Sequence, residues 1–353
     1  MTQQPRRTDS WVVEGGNGFD SLKLHKDVAI PELGDYDCLI QVQAVSLNYR
    51  DLIIPKGMYP FPLSLPVVPC SDGAGIVLAV GRRVTQFRRG DRICTLFNQL
   101  HQANPITPAA MNSGLGGVLD GTLRHYAVLP EYGLVTAPAN LTPVEASTLT
   151  CAPLTAWNAL YGLVPLKPGD VVLTQGTGGV SLAAVQFATA AGATVIATTS
   201  SEEKAEKLRA MGARHVINYK TTGDWGEVAR GYTVGGRGVD HVVEVGGPGT
   251  MAQSLKAVRK EGVITIIGFL GGTGGKKGEG EPSILDPLVQ VCTVRGILVG
   301  SRQQMEDMVR AIEVNGIKPV VDEKVFGFEK AKEAYQYQWE QKHFGKVVIK
   351  VEG

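Results

Sequence analysis

Between residues 171 and 191 the chain runs from an apolar stretch, Val171-Val172-Leu173-Thr174-Gln175, through Gly176-Thr177-Gly178-Gly179-Val180-Ser181 into the helical pattern of residues 182–191. A buried strand that turns on glycines into a helix, with another strand behind it, is the opening of a dinucleotide-binding βαβ unit. Gly176 permits the tight turn, and Gly178 lets the backbone approach a pyrophosphate whose charge meets the helix N-terminus. Ser181 stands where that fingerprint has its third glycine, so the helix must pack on the strand across a small hydroxyl.

Around this turn, strands at 194–199, 215–219, 240–245 and 262–267 alternate with helices, one of them at 204–212. Strands and helices in alternation, with nearly all-apolar strands, predict a parallel, doubly wound sheet over 151–302. The first 150 residues have another texture. Short alternating runs at 38–45, 75–80 and 91–96 lie between Gly and Pro, and Gly90-Asp91 is a hairpin-type turn. They predict an antiparallel, barrel-like sheet. Residues 145–150 and 155–160 carry helical spacing, which Pro165 to Asp170 breaks. After a strand at 294–299 and a helix at 303–315, the alternating segment 345–351 has no partner left in the parallel sheet. It is expected to rejoin the barrel, so the first domain is 1–150 completed by 303–353. A chain of 353 residues has room for two such cores.

The strand after the glycine turn ends Thr198-Thr199-Ser200-Ser201, and Lys204 follows. An NAD site usually places an acid there for the ribose 2′-hydroxyl. Hydroxyls and an ammonium suit a 2′-phosphate instead, so NADPH is expected over NADH. Ser200 with Glu203 also reads as a helix-capping box. Tyr219, at the end of the next strand, either flanks the adenosine or is ordinary packing.

Lys plus Arg number 35 against 34 for Asp plus Glu, a net charge of +1. No basic stripe stands out, so nucleic acid is not an expected partner, and Arg82-Arg83 with Arg88-Arg89 reads as solvated surface. No stretch is apolar over the roughly 18 residues of a membrane span, and the N-terminus lacks a signal peptide's apolar run. Five scattered cysteines without a C-x-x-C pair argue against a disulfide framework. A reduced, cytoplasmic protein is expected.

Ser46-Leu47-Asn48-Tyr49-Arg50-Asp51, Ser71-Asp72-Gly73-Ala74-Gly75, Gly81 through Gly90-Asp91-Arg92, the Gly176 turn and Phe344-Gly345-Lys346-Val347 together resemble the medium-chain dehydrogenase/reductase superfamily. The likeness is to its zinc-independent quinone reductase and alcohol-dehydrogenase-like branches. The resemblance implies a GroES-like barrel beside a Rossmann domain. It also adds Asn48, Thr155, Gly246, Gly268, Phe269, Leu270, Phe344, Gly345 and Lys346 to the cofactor contacts. Aligned on Asp51 and Gly75, the zinc-ligand positions of alcohol dehydrogenases fall on Asn48, Ser71 and Cys151, with Asp72 at the adjacent acid. Cys70 is one residue early, and residues 97–125 hold none of the structural-zinc cysteines. No metal is expected.

Without a Lewis acid, a carbonyl oxygen must be polarised by hydrogen bonds. Hydride addition to a quinone or enone leaves an enolate-like anion that a few donors stabilise, which favours those substrates. Tyr59 is the candidate proton donor, or else a loop tyrosine packed by its ring. Asn48 offers an amide, Tyr49 projects nearby, and Arg50 with Asp51 reads as a pair. The alternatives are an alcohol dehydrogenase or ketone or aldehyde reductase, and an inert dinucleotide-binding sensor. Residues 97–125 read as a long loop that shapes the substrate site, and 271–281 as mobile surface. The apolar strand 294–299 at a sheet edge predicts a homodimer.

Overall fold

The computed structural model describes residues 4–268 and 283–351. The expectations on Phe269, Leu270 and 271–281 therefore lie outside the described residues. Contacts divide the chain into two compact units, Met1–Leu154 with Gly300–Gly353, and Thr155–Val299.

The first unit contains β1 (Arg7–Val13), β2 (Leu22–Ala29), β3 (Asp37–Ser46), β4 (Asp72–Val80), β5 (Arg92–Thr95), β6 (Tyr126–Pro130) and β7 (Leu134–Thr136). The second contains β8 (Val171–Gln175), β9 (Thr194–Thr199), β10 (His215–Asn218), β11 (Val239–Glu244), β12 (Val258–Ile266) and β13 (Thr293–Gly296). The chain then returns to the first unit with β14 (Phe326–Gly327) and β15 (Val348–Lys350).

In the first unit β14-β15-β3-β4-β5-β7 form one sheet, and β6 also pairs with β3. The long strand β3 explains why the end of the chain is needed. Its Asp37–Gln41 half pairs antiparallel with β6, and its Ala44–Ser46 half pairs with β15. Val13, Leu22, Ile40, Leu52, Phe326 and Tyr335 share the core. The Trp11 indole N–H, donating to the Phe328 carbonyl at 2.9 Å, ties the two ends together. The 97–125 segment is less loop-like than expected. Phe97, Leu115 and Leu123 are buried, and a short helix, Pro108–Met111, is capped by Thr107. These apolar anchors fold the segment onto the barrel. The helical spacing at 145–150 yields one turn, Pro143–Ala146, started by a Thr142–Glu145 capping box.

The second sheet runs β10-β9-β8-β11-β12-β13, with every neighbouring pair parallel. Counted from β8 this is the order 3-2-1-4-5-6 of a doubly wound nucleotide-binding sheet. The order reverses between β8 and β11, and in sheets of this order the carboxyl ends of the two strands flanking the reversal are where ligands bind. Leu173, Ile196, Ile217, Val242, Leu255 and Ile264 form the core. β13 stops short of the expected 299, and Val299 adopts a φ of 50°, which no extended strand accommodates. Among the described residues no helix is long and apolar enough to cross a membrane.

Candidate active site

At the switch point of the parallel sheet, Gly176 takes a φ of 72° and its N–H donates to the Thr198 carbonyl at 2.8 Å. That left-handed turn requires glycine. Gly178 then caps the helix Gly179–Ala190, opening its N-terminus beside Thr177 and Val180. A Cβ at Gly176 or Gly178 would meet no protein atom within 4 Å, so the space over the turn is open. The hydroxyl of Ser181, in place of a third glycine, donates to the Gln175 carbonyl at 2.6 Å and binds helix to strand.

Beyond β9, Ser200 stays outside the helix Glu202–Ala210, and the cap is Ser201, whose hydroxyl accepts from the Lys204 N–H at 3.3 Å. The capping box read at Ser200 and Glu203 is thus corrected, because the helix starts one residue later. Glu202 and Glu203 pair with Arg209 and Lys207 on that helix, at 2.6 and 3.2 Å. Lys204 is half-buried in the first turn, and Tyr219, its N–H on the Thr199 carbonyl, leaves its ring exposed. Thr155 is buried on the helix Ala152–Tyr161.

Sequence reasoning missed the lock beneath this edge. Glu244, fully buried at the end of β11, accepts on Oε1 from the N–H groups of Gly246 and Gly247, both at 3.0 Å, and from the Thr250 hydroxyl. Its Oε2 accepts from Gln175 Nε2 at 2.7 Å and from the Ser254 hydroxyl. Gln175 Oε1 in turn accepts from the Val245 and Gly246 N–H groups. The ends of β8 and β11 are therefore fastened to each other. Gly268 packs so closely on Val245 that a Cβ would meet its carbonyl at 2.5 Å. An acid at the buried end of a strand, next to two glycines, was the available signal, since such a group must find donors.

In the barrel unit, register assembles a second cluster. Ser46 of β3 faces Val348 of β15 on one side and Asp72 of β4 on the other. Asn48, just past β3, therefore meets both Asp72 and Lys346. Lys346 Nζ donates to the Leu47 carbonyl at 2.7 Å, to Asn48 Oδ1 at 2.5 Å and to Asp72 Oδ2 at 3.4 Å. Both charged side chains are buried. The Ser71 hydroxyl donates to Asp72 Oδ1 at 2.8 Å. Burial raises the Asp72 pKa, and Lys346 and Ser71 oppose the rise. Phe344 and Gly345 seat this lysine: the Phe344 N–H donates to Asp322, and Gly345, at a φ of 87°, leaves no room for a Cβ beside the Val320 carbonyl.

Asp51 uses its Oδ2 to accept the Asn48 N–H at 2.7 Å, capping the short helix Tyr49–Ile53. Burial pushes its carboxyl up to about 6, which Arg50 and that N–H only partly offset. Arg50 and Asp51 attract each other by charge, as expected, but without a close ion-pair contact. Arg50 donates to the Leu115 carbonyl at 2.6 Å and lies over the rings of Tyr59 and Phe97, 5.1 and 4.7 Å from their centroids. Tyr59 is half-buried, with its ring also 5.4 Å from Phe61, and Tyr49 packs on the barrel core. Burial and the Asp72 carboxylate push the Cys151 thiol up to about 12, so it is protonated at neutral pH. Cys70, buried, lies 3.5 Å from the Tyr335 hydroxyl. Among the described residues no three His, Cys, Asp or Glu side chains group as a metal site.

Comparison with known proteins fits both halves. Residues 34–139 match the model of the alcohol dehydrogenase GroES-like domain, and 179–313 that of zinc-binding dehydrogenases. The chain is 48% identical over 343 residues to a zinc-type alcohol dehydrogenase-like protein of Schizosaccharomyces pombe, covering 95% of this chain and 97% of that one. It belongs to the medium-chain dehydrogenase/reductase superfamily. Within the superfamily it also resembles the quinone oxidoreductase of Lama guanicoe, at 27% identity over 90% of each chain. The crystal structure of a putative alcohol dehydrogenase from Sinorhizobium meliloti 1021 superposes with a TM-score of 0.88, at 41% identity over 99% of this chain and all of that one. The protein is therefore an oxidoreductase of a superfamily that works with nicotinamide dinucleotides.

Proposed function

We propose that the protein is an NADPH-dependent reductase that delivers hydride to a quinone or an enone without a metal ion. The observation that carries this reading is Lys346. Zinc-dependent members hold their metal where this chain has Asn48, Ser71 and Cys151, with Asp72 at the adjacent acid. Here an ammonium is bonded to Asn48 and Asp72, so the donor set does not fit a second cation. An amide, a hydroxyl and one thiol are also poor zinc ligands.

The dinucleotide supplies the hydride. Gly176, Thr177, Gly178, Gly179 and Val180 would hold its pyrophosphate, and Ser200, Ser201 and Lys204 its 2′-phosphate. Tyr219, Gly246 and Gly268 are further contacts supported by their place at the sheet's carboxyl edge, and Thr155 is one that the family resemblance implies. In the barrel, the Asn48 amide donates to the substrate's carbonyl oxygen and holds it as it becomes an enolate. The Tyr59 hydroxyl donates the proton that completes reduction, with Tyr49 beside it. A soft enolate needs less stabilisation than an alkoxide, which is why a site built from such donors suits an activated double bond.

The names of the relatives favour a second reading, an alcohol dehydrogenase or ketone or aldehyde reductase. Incubating the protein with a simple cyclic enone and either NADPH or NADH separates the two. We expect the saturated ketone, formed faster with NADPH. Allylic alcohol would favour the second reading, equal rates would remove the cofactor assignment, and no turnover would point to an inert binder.

The sheet edge at β13 supports self-association. In the segment leading into it Ile284, Leu288 and Val289 are 95, 73 and 69% exposed, apolar surface that self-association would cover. A homodimer across a two-fold axis would cover it, and a single-chain mass by light scattering would contradict this. The five free thiols suit a reducing, cytoplasmic setting.

A further inference from the structure

An ammonium has three N–H bonds and no acceptor. Those of Lys346 end on the Leu47 carbonyl, Asn48 Oδ1 and Asp72 Oδ2, which leaves none for a cofactor phosphate. What the lysine does fix is the Asn48 amide. Because Lys346 can only donate, the amide end facing it is the oxygen, and the NH2 end points elsewhere. That nitrogen is buried, and among the described residues the Asp72 carboxylate is the one group near enough to accept from it. It lies near enough to Asp72 to favour the charged carboxylate, yet it carries two N–H bonds, so at least one remains unspent. A buried donor without a partner is rare in a folded protein and calls for an explanation.

We propose that Lys346 is a positioning residue that takes over the metal's charge: with Asp72 as counter-ion, it orients the Asn48 amide so that an N–H faces the substrate's carbonyl oxygen. Its charge polarises the amide, and the hydrogen bond strengthens as that oxygen becomes anionic. This rests on the reading of Asn48 as the donor, but applies equally to a quinone, an enone or an aldehyde.

The test compares three variants, each assayed with NADPH on 2-cyclohexenone and on benzaldehyde. The first, Lys346→Met with Asp72→Asn, removes both charges so that neither is left unpaired in the interior. The second is Asn48→Leu, and the third combines all three changes. On whichever probe the wild type reduces, kcat should fall about 100-fold in the first two. The combined variant should be no slower than Asn48→Leu alone, because Lys346 acts through the amide. The NADPH dissociation constant should move less than about twofold in the charge-free variant. Losses that multiply in the combined variant overturn the proposal, as does a weakened NADPH affinity with kcat retained. Reduction of benzaldehyde alone would remove the enone reading and leave this test intact. If the charge-free variant fails to fold, or neither probe turns over, the side-chain amide NMR signal of Asn48 in the wild-type protein decides. It should shift on saturation with 2-cyclohexenone in the presence of NADP; an unmoved signal overturns the proposal.

Discussion

At residues 176–180 the surface proposed to meet a ligand is mainly backbone, whereas at Asn48, Asp72 and Lys346 it is side chains, two of them buried charges. The glycine turn works by having nothing in the way. Among Asn48, Asp72 and Lys346 the Asn48 NH2 is the one group left short of partners. The two sites should consequently fail in different ways: the first through added bulk, the second through changed charge.

The largest effect expected from that contrast is at Gly178. A Cβ there meets no protein atom within 4 Å, and the backbone is extended, so Gly178→Val should leave stability within about 1 kcal/mol of wild type, the usual range of a cap substitution. The same side chain would fill the space over the turn and should weaken NADPH binding about 100-fold, or roughly 2.7 kcal/mol. Fluorescence titration beside a thermal melt reads both. Unchanged affinity would mean that the open space over the turn is not the pyrophosphate site, and the contrast would collapse.

The same contrast explains what could be read in advance. The glycine turn, its strands and the acid-free end of β9 lie in one continuous stretch, and glycine has few uses other than the turn it makes there. Asn48, Asp72 and Lys346 come from three segments, and only the pairing of β3 with both β4 and β15 brings them together. Residue by residue the barrel positions were visible, but the partners were not. Arg50 and Asp51, adjacent in sequence, looked like a pair. They attract each other by charge, but their hydrogen bonds go elsewhere, to a carbonyl for the guanidinium and a helix N–H for the carboxylate. Glu244 escaped notice because its five donors come from two strand ends and a following helix. The Ser201 cap differed by one residue from the sequence reading, the ordinary uncertainty of helix ends.

A smaller effect concerns Asp51, whose carboxyl sits at about 6 against an ordinary 3.8 because it is fully buried. The folded protein holds that proton at pH values where the unfolded chain has released it. Between about pH 4 and 6 the folded state therefore binds more protons, and this group's contribution lowers stability as pH rises through the window. Asp51→Asn removes the charge but keeps an oxygen to accept the Asn48 N–H. The variant should match the wild type near pH 4 and exceed it at pH 7.5 by about 1–3 kcal/mol, the upper end being the full shift. Urea midpoints across that range check it, since every other titrating group contributes equally to both proteins and cancels in the difference. Gly178→Val, built into a site without buried charge, should run parallel to wild type over the same range. If the Asp51→Asn curve is parallel as well, Asp51 is not paying a burial cost, and the barrel cluster is less dependent on charge than its geometry indicates.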